Sequence, residues 1–161
     1  MPPVEILEAD LTRPEHQQVV VELLDAYAAD PMGNGAPLSA EVRRALIPGL
    51  REHPTTLIFL AFQGGEAVGI AVCFRGFSTF NARPLINIHD LAVLPACRGR
   101  GVGRQLLGSV EQKARDLGCC KLTLETQENN LRARRIYEAA GFAQAVYEEA
   151  AGGSLFLAKS L

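Results

Sequence analysis

The stretch His89-Asp90-Leu91-Ala92-Val93-Leu94-Pro95-Ala96-Cys97-Arg98-Gly99-Arg100-Gly101-Val102-Gly103-Arg104 constrains the fold of this chain more than any other. It reads as the end of an apolar strand, a short turn, a glycine-rich loop and the first turn of an amphipathic helix. Glycines at 99, 101 and 103 leave the amides of residues 99–104 uncovered where the helix begins. Bare amides at a helix start can hold an anion. Arg98, Arg100 and Arg104 add positive charge around the same point. The loop suits a pyrophosphate.

The spacing of apolar residues predicts the rest in order. Val4 to Glu8 is a short strand. Thr12 and Glu15 form a capping-box pair around Pro14, ahead of a helix with Val20, Leu23, Leu24 and Tyr27 on one face. Asp30-Pro31-Met32-Gly33-Asn34-Gly35 is a flexible, turn-rich loop. Ser39 caps a second helix through Val42, Leu46 and Leu50, which Pro48 kinks or splits. Thr55 to Phe62 and Ala67 to Phe74 are strands joined by a turn at Gln63-Gly64-Gly65-Glu66. Arg75 to Arg83 is an aromatic-bearing connection, and Leu85 to Val93 is the central strand. Gly101 to Leu117 is a helix with Val102, Leu106, Val110 and Leu117 toward the core, ended by Gly118.

Residues 119–125 alternate as a half-buried strand. Strand, helix and strand make a βαβ unit, so 85–93 and 119–125 run parallel. Asn129 or Asn130 caps the next helix, which stacks Ala133, Tyr137 and Ala140 and stops at Gly141. Ala143 to Glu149 and Ser154 to Lys159 form a last hairpin around Gly152-Gly153. The order β-α-α-β-β-β-α-β-α-β-β has no linker in it. It predicts one α/β (α+β) domain over residues 1–161, with one mixed sheet and helices on both faces.

Two pyrophosphate-binding classes are excluded. In a dinucleotide-binding fingerprint the third glycine position would fall on Arg104, and five residues, Leu94 to Arg98, separate strand from loop. No Lys-Ser or Lys-Thr follows the glycines, so the loop is not a P-loop. The net charge of −2 argues against general nucleic-acid binding. Cys73, Cys97, Cys119 and Cys120 lack metal-ligand spacing, so no metal is expected and the thiols read as reduced. No stretch is apolar enough to span a bilayer, and a cytoplasmic protein without a membrane partner is expected.

Arg98-x-x-Gly101-x-Gly103 after a Val-Leu-Pro strand end, followed by Asn130-x-x-Ala133-x-x-x-Tyr137 and Gly141-Phe142, resembles the GNAT superfamily of acyl-CoA-dependent N-acetyltransferases. The resemblance is strong over residues 85–142 and is one of element order elsewhere. It implies a mostly antiparallel mixed sheet with one parallel, splayed strand pair, and acetyl-CoA as co-substrate. It places the pyrophosphate on the amides of Gly99, Arg100, Gly101, Val102, Gly103 and Arg104 beside Arg98. The pantetheine arm would lie along Leu91, Ala92 and Val93, with Asn130 and Ala133 also contacting the cofactor.

Tyr137, also beside the cofactor, is implied as general acid to the departing thiolate. A phenol titrates near ~10 and can donate at neutral pH. His89 stands where the family's usual glutamate would be and is a candidate base, with Asp90 and a water chain as competitors. Tyr27, Asp30, Phe77 and Phe80 are candidates for the acceptor side, since a carboxylate and aromatic rings suit an amine. The segment around them loosely resembles the diamine-acetyltransferase branch. The leading expectation is acetyl transfer to a primary amine of a small molecule. The alternatives are a non-catalytic acyl-CoA-binding regulatory module and a protein or peptide amine acetyltransferase. The resemblance leaves room for a homodimer through the last hairpin or the sheet edge.

Overall fold

The computed structural model describes residues 1–161. The chain divides into two compact units, Met1–Leu124 and Glu125–Leu161.

The first unit carries strand β1 (Val4–Glu8), helices α1 (Pro14–Ala29) and α2 (Ala40–Glu52), strands β2 (Thr56–Gln63), β3 (Glu66–Ser78) and β4 (Arg83–Val93), helix α3 (Val102–Asp116) and strand β5 (Leu122–Leu124). The sheet order is β1-β2-β3-β4-β5. The first three pairings are antiparallel, and β4–β5 is parallel as the βαβ pattern predicts. β3, not β4, is the middle strand.

Strand alternation divides the apolar residues between two faces. Ile58 and Leu60 of β2 and Ile70 and Val72 of β3 join Val20, Leu23 and Leu24 of α1 and Leu50 of α2 in one core. On the other face α3 lies close to the sheet. A Cβ on Gly69 would stand 3.1 Å from Leu106 and 3.2 Å from Val102, so a side chain there would press the helix back by a few tenths of an ångström. Full burial of each such aliphatic side chain contributes about 1.5–3 kcal/mol. The helices therefore lie on both faces, α1 and α2 against α3.

Several local expectations need correction. Thr12 does not cap α1. Its hydroxyl and amide both donate to the Asp10 carboxylate, at 2.7 and 2.9 Å, which turns the chain before the helix. Arg13 takes the cap position without a side-chain bond, and Pro14 brings no N–H that needs one. α2 passes through Pro48 unbroken, since only one helical bond is lost there and Leu50 remains anchored in the core. Ser39 caps it as expected, accepting from the Val42 amide at 3.2 Å. β3 continues to Ser78, because residues 75–78 pair with Arg83 to Ile86, so the aromatic connection is mostly strand. Leu117 lies past the end of α3 and is 36% exposed.

The second unit carries helix α4 (Leu131–Ala139). The Asn130 side chain caps it by accepting from the Ala133 amide at 3.2 Å. Gly141, at φ 91°, ends it as expected. The expected last hairpin is absent as strands. Residues 143–161 hold a 3₁₀ turn at Glu149–Ala151, and the Ser154 amide donates to the Ala145 carbonyl at 2.9 Å. Among residues 143–149 only Val146 and Tyr147 favour strands. As neighbours they would point to opposite faces, so no apolar face forms. Both are exposed.

Candidate active site

The site begins with an irregularity in β4. Val72 pairs with Asp90, but Cys73 pairs with Ile88, so His89 is an extra residue bulged out of the ladder. The bulge shifts the phase of everything after it. Leu94 donates its amide to Val68 of the sheet at 2.9 Å. Counting back in twos, the amides and carbonyls of Leu91 and Val93 point away from β3. On that side β5 has already stopped, because the parallel ladder ends at Ile88 and Leu124 while β4 continues to Val93. The parallel pair is thus unequal, and the last turn of β4 has ladder groups that no strand of the sheet pairs.

β4 leads through Leu94 and a 3₁₀ turn, Pro95–Cys97, into the glycine loop. Gly101 is the first residue of the cap, in the left-handed region at φ 80°, a conformation that strains any residue with a Cβ. No side chain bonds the N-terminus of α3. The first intrahelical bond is Gln105 to Gly101, so Val102, Gly103 and Arg104 keep their amides free of helical partners. The helix dipole adds a partial positive charge at the same point. Arg100 and Arg104 are exposed beside it.

Arg98 is committed elsewhere. Its Nε donates to the Val93 carbonyl at 2.9 Å, and a terminal nitrogen donates to the Asp30 carboxylate at 2.6 Å. Sequence reasoning placed these two residues on different ligands and missed their pairing. They lie 68 positions apart, and no local signal links them.

Beyond α1, Tyr27 and Asp90 come together on the face that α1 and α2 cover. Burial raises the Tyr27 phenol above its ordinary value, with Asp90 and Asp30 adding to the shift. Burial likewise raises the Asp90 carboxyl, opposed by the His89 imidazole next to it. His89 itself is exposed, with its ring edge-on to Phe74 at 5.5 Å between centroids, and Phe74 meets His53 at 4.7 Å. A narrow crevice, with room for little more than a water molecule, runs between Leu23, Ala26 and Tyr27 on one side and Ala92, Val93 and Leu94 on the other. Phe77 and Phe80 are not part of this group. Phe77 pairs with Pro84 toward the far end of the β3–β4 ladder, ~20 Å from Asp90 at strand rise. They are 63% and 94% exposed.

In the second unit Tyr137 is buried, with its ring edge-on to Phe142 at 6.0 Å between centroids. Its carbonyl accepts from the Phe142 amide at 3.0 Å. Asn130 is used as the helix cap, and Ala133 supplies the amide it bonds. No three His, Cys, Asp or Glu side chains gather as metal ligands, and no helix is long and apolar enough to cross a membrane.

Residues 20–142 match the acetyltransferase (GNAT) family. An uncharacterized N-acetyltransferase of Bacillus subtilis, YhfO, is 32% identical over 98 residues, 61% of this chain and 66% of the relative. The aminoalkylphosphonate N-acetyltransferase of Salmonella typhimurium is 35% identical over 85 residues, 53% of this chain and 55% of that protein. The chain thus spans between about half and two thirds of the length of such relatives. Among solved structures, AAC(6')-Iy in complex with the bisubstrate analog CoA-S-monomethyl-acetylneamine superposes with a TM-score of 0.76. It is 19% identical, over 99% of each chain, which is likeness of fold. With its mixed sheet, its unequal parallel pair and its glycine loop at the start of α3, this chain belongs to the acetyltransferase (GNAT) family.

Proposed function

We propose that the chain is an acetyl-CoA-dependent N-acetyltransferase acting on a primary amine of a small molecule, with residues 1–161 as one catalytic domain. One observation carries this reading: the edge of β4 at Leu91 and Val93 that no strand pairs leads through one short turn and the glycine loop to a helix N-terminus with no side-chain cap bond. An extended amide-bearing arm ending in a pyrophosphate matches both halves at once. The relatives' names and the neighbour's bisubstrate analog favour a small amine as acceptor.

Acetyl-CoA supplies the activated acyl group. The amides of Val102, Gly103 and Arg104 hold the pyrophosphate, with Gly99 and Gly101 leaving the approach clear and Arg100 and Arg104 adding charge. The Leu91 backbone and the Val93 amide bond the arm, the Val93 carbonyl being held by Arg98, and a free amide there stabilises negative charge growing on the thioester oxygen. Ala92 holds the strand in register with β3. Arg98 contributes by fixing Val93.

The base is the bulged pair. The exposed His89 imidazole takes the proton from the attacking amine, with Asp90 beside it as its electrostatic partner. Tyr27 and Asp90 receive the amine at this end of the strand, while Asp30 holds the wall beside them through Arg98. Tyr137 donates the proton that the departing thiolate needs, on the strength of the Asn130-Ala133-Tyr137 spacing. Four free cysteines suit a reducing compartment such as the cytoplasm.

The test is a thermal melt with acetyl-CoA and with a dinucleotide control. Ligand at a hundredfold over its dissociation constant adds about 2.7 kcal/mol, a rise of roughly 5–10 °C for a chain of this size. A shift with acetyl-CoA alone supports the reading. A shift with the dinucleotide alone, or none, overturns it.

A further inference from the structure

We propose that Asp30 and Arg98 are a positioning pair that couples the cofactor loop to the acceptor wall, so that binding coenzyme A tightens the folded cap at residues 30–36. The proposal rests on the acetyltransferase reading.

Residues 30–36 form a folded cap on the end of α1, with Asp30 as its hub. The Asp30 carboxylate accepts from the Met32 amide at 2.8 Å, and its carbonyl accepts from Gly33 at 2.8 Å and Gly35 at 3.1 Å. The amides of Asn34 and Ala36 reach the Ala28 carbonyl at 2.9 and 3.2 Å. Gly33 packs so tightly that a Cβ there would stand 2.0 Å from the Tyr27 carbonyl oxygen. The loop read as flexible from its composition is thus pressed onto the helix end that carries Tyr27.

Arg98 ties this cap to the other side. One guanidinium bonds the carbonyl of Val93, on the edge of β4 that no strand pairs, and the carboxylate of Asp30. The two side chains are only 29% and 12% exposed. A guanidinium is a rigid planar fork, so its two bonds move together. Arg98 is also the residue from which the glycine loop starts. A ligand that draws Val93 and the loop into one arrangement therefore fixes the fork, and the fork fixes Asp30. Through Asp30 the effect reaches the amides of Gly33 and Gly35 and the wall at Tyr27. By linkage, an ordered cap must favour the cofactor by the same factor.

Amide hydrogen exchange of the segment around residues 28–37, measured with and without coenzyme A, tests this. Coenzyme A should slow exchange there by about fivefold or more in the unaltered protein. In Asp30→Asn and in Arg98→Lys, each with coenzyme A raised until its melting shift is complete, the slowing should vanish. Arg98→Lys keeps the charge and loses the fork. A pair with a purely structural role would speed exchange equally with and without ligand, leaving the ratio unchanged. That result overturns the proposal. So does an unaltered protein in which coenzyme A raises the melting temperature but leaves the segment's exchange as it was, an outcome that spares the acetyltransferase reading. Absence of any melting shift with coenzyme A overturns both.

Discussion

His89 owes its exposure to being surplus. An extra residue in β4 has no partner in β3, so its side chain leaves the sheet while Asp90 stays half-buried behind it. Two adjacent residues thus meet different surroundings, and burial raises the Asp90 carboxyl above its ordinary value. His89→Ala should lower kcat/KM by about 10²-fold or more and flatten the acid limb of its pH profile. Asp90→Asn should keep that limb, since it leaves the His89 imidazole in place. An acid limb untouched by His89→Ala would give the base role to Asp90, whose raised proton affinity also suits a base. The sequence displayed both residues as candidates. It did not display the bulge, because register is a relation between β3 and β4 that neither strand states alone. The Arg98–Asp30 pair was hidden for the same reason.

Among elements, α3 was the most legible, because its signals are local: three glycines, then an apolar stripe at helical spacing. The hairpin at Gly64-Gly65 and the parallel pairing with β5 were legible on the same grounds. The length of β3 and the missing last hairpin were not, since strand pairing is decided by a partner. The start of α3 is also the element most open to test. Gly101→Glu forces a Cβ into the left-handed region, at a cost of about 1–3 kcal/mol. It also sets a carboxylate among the amides proposed for the pyrophosphate. The variant should melt a few degrees lower and show no shift with acetyl-CoA. A normal shift would move the pyrophosphate to another part of the chain.

Across the whole molecule, the sheet's apolar interior sets how the fold responds to alkali. Cys73 is fully buried in β3, and burial, with a smaller contribution from the Asp90 charge, pushes its thiol from 9.0 up to about 12. In the unfolded chain the same thiol ionises near its ordinary value. Between these values the unfolded state has lost a proton that the folded state keeps, so stability falls as pH rises. The loss is at most about 1.4 kcal/mol per pH unit from this group. Cys73→Ala should show a shallower decline of melting temperature above about pH 9 than the unaltered protein. Equal slopes would mean that Cys73 ionises within the fold.

The ladder that stops at Leu124 has a consequence for the lifetime of the chain. Strand ends without partners are where a sheet is first pried open. Whatever lies along Leu91 and Val93 in the bound state supplies the missing rungs. On the proposed reading, a cofactor arm in that place would slow the local opening of the sheet, so resistance to a protease should rise with coenzyme A concentration.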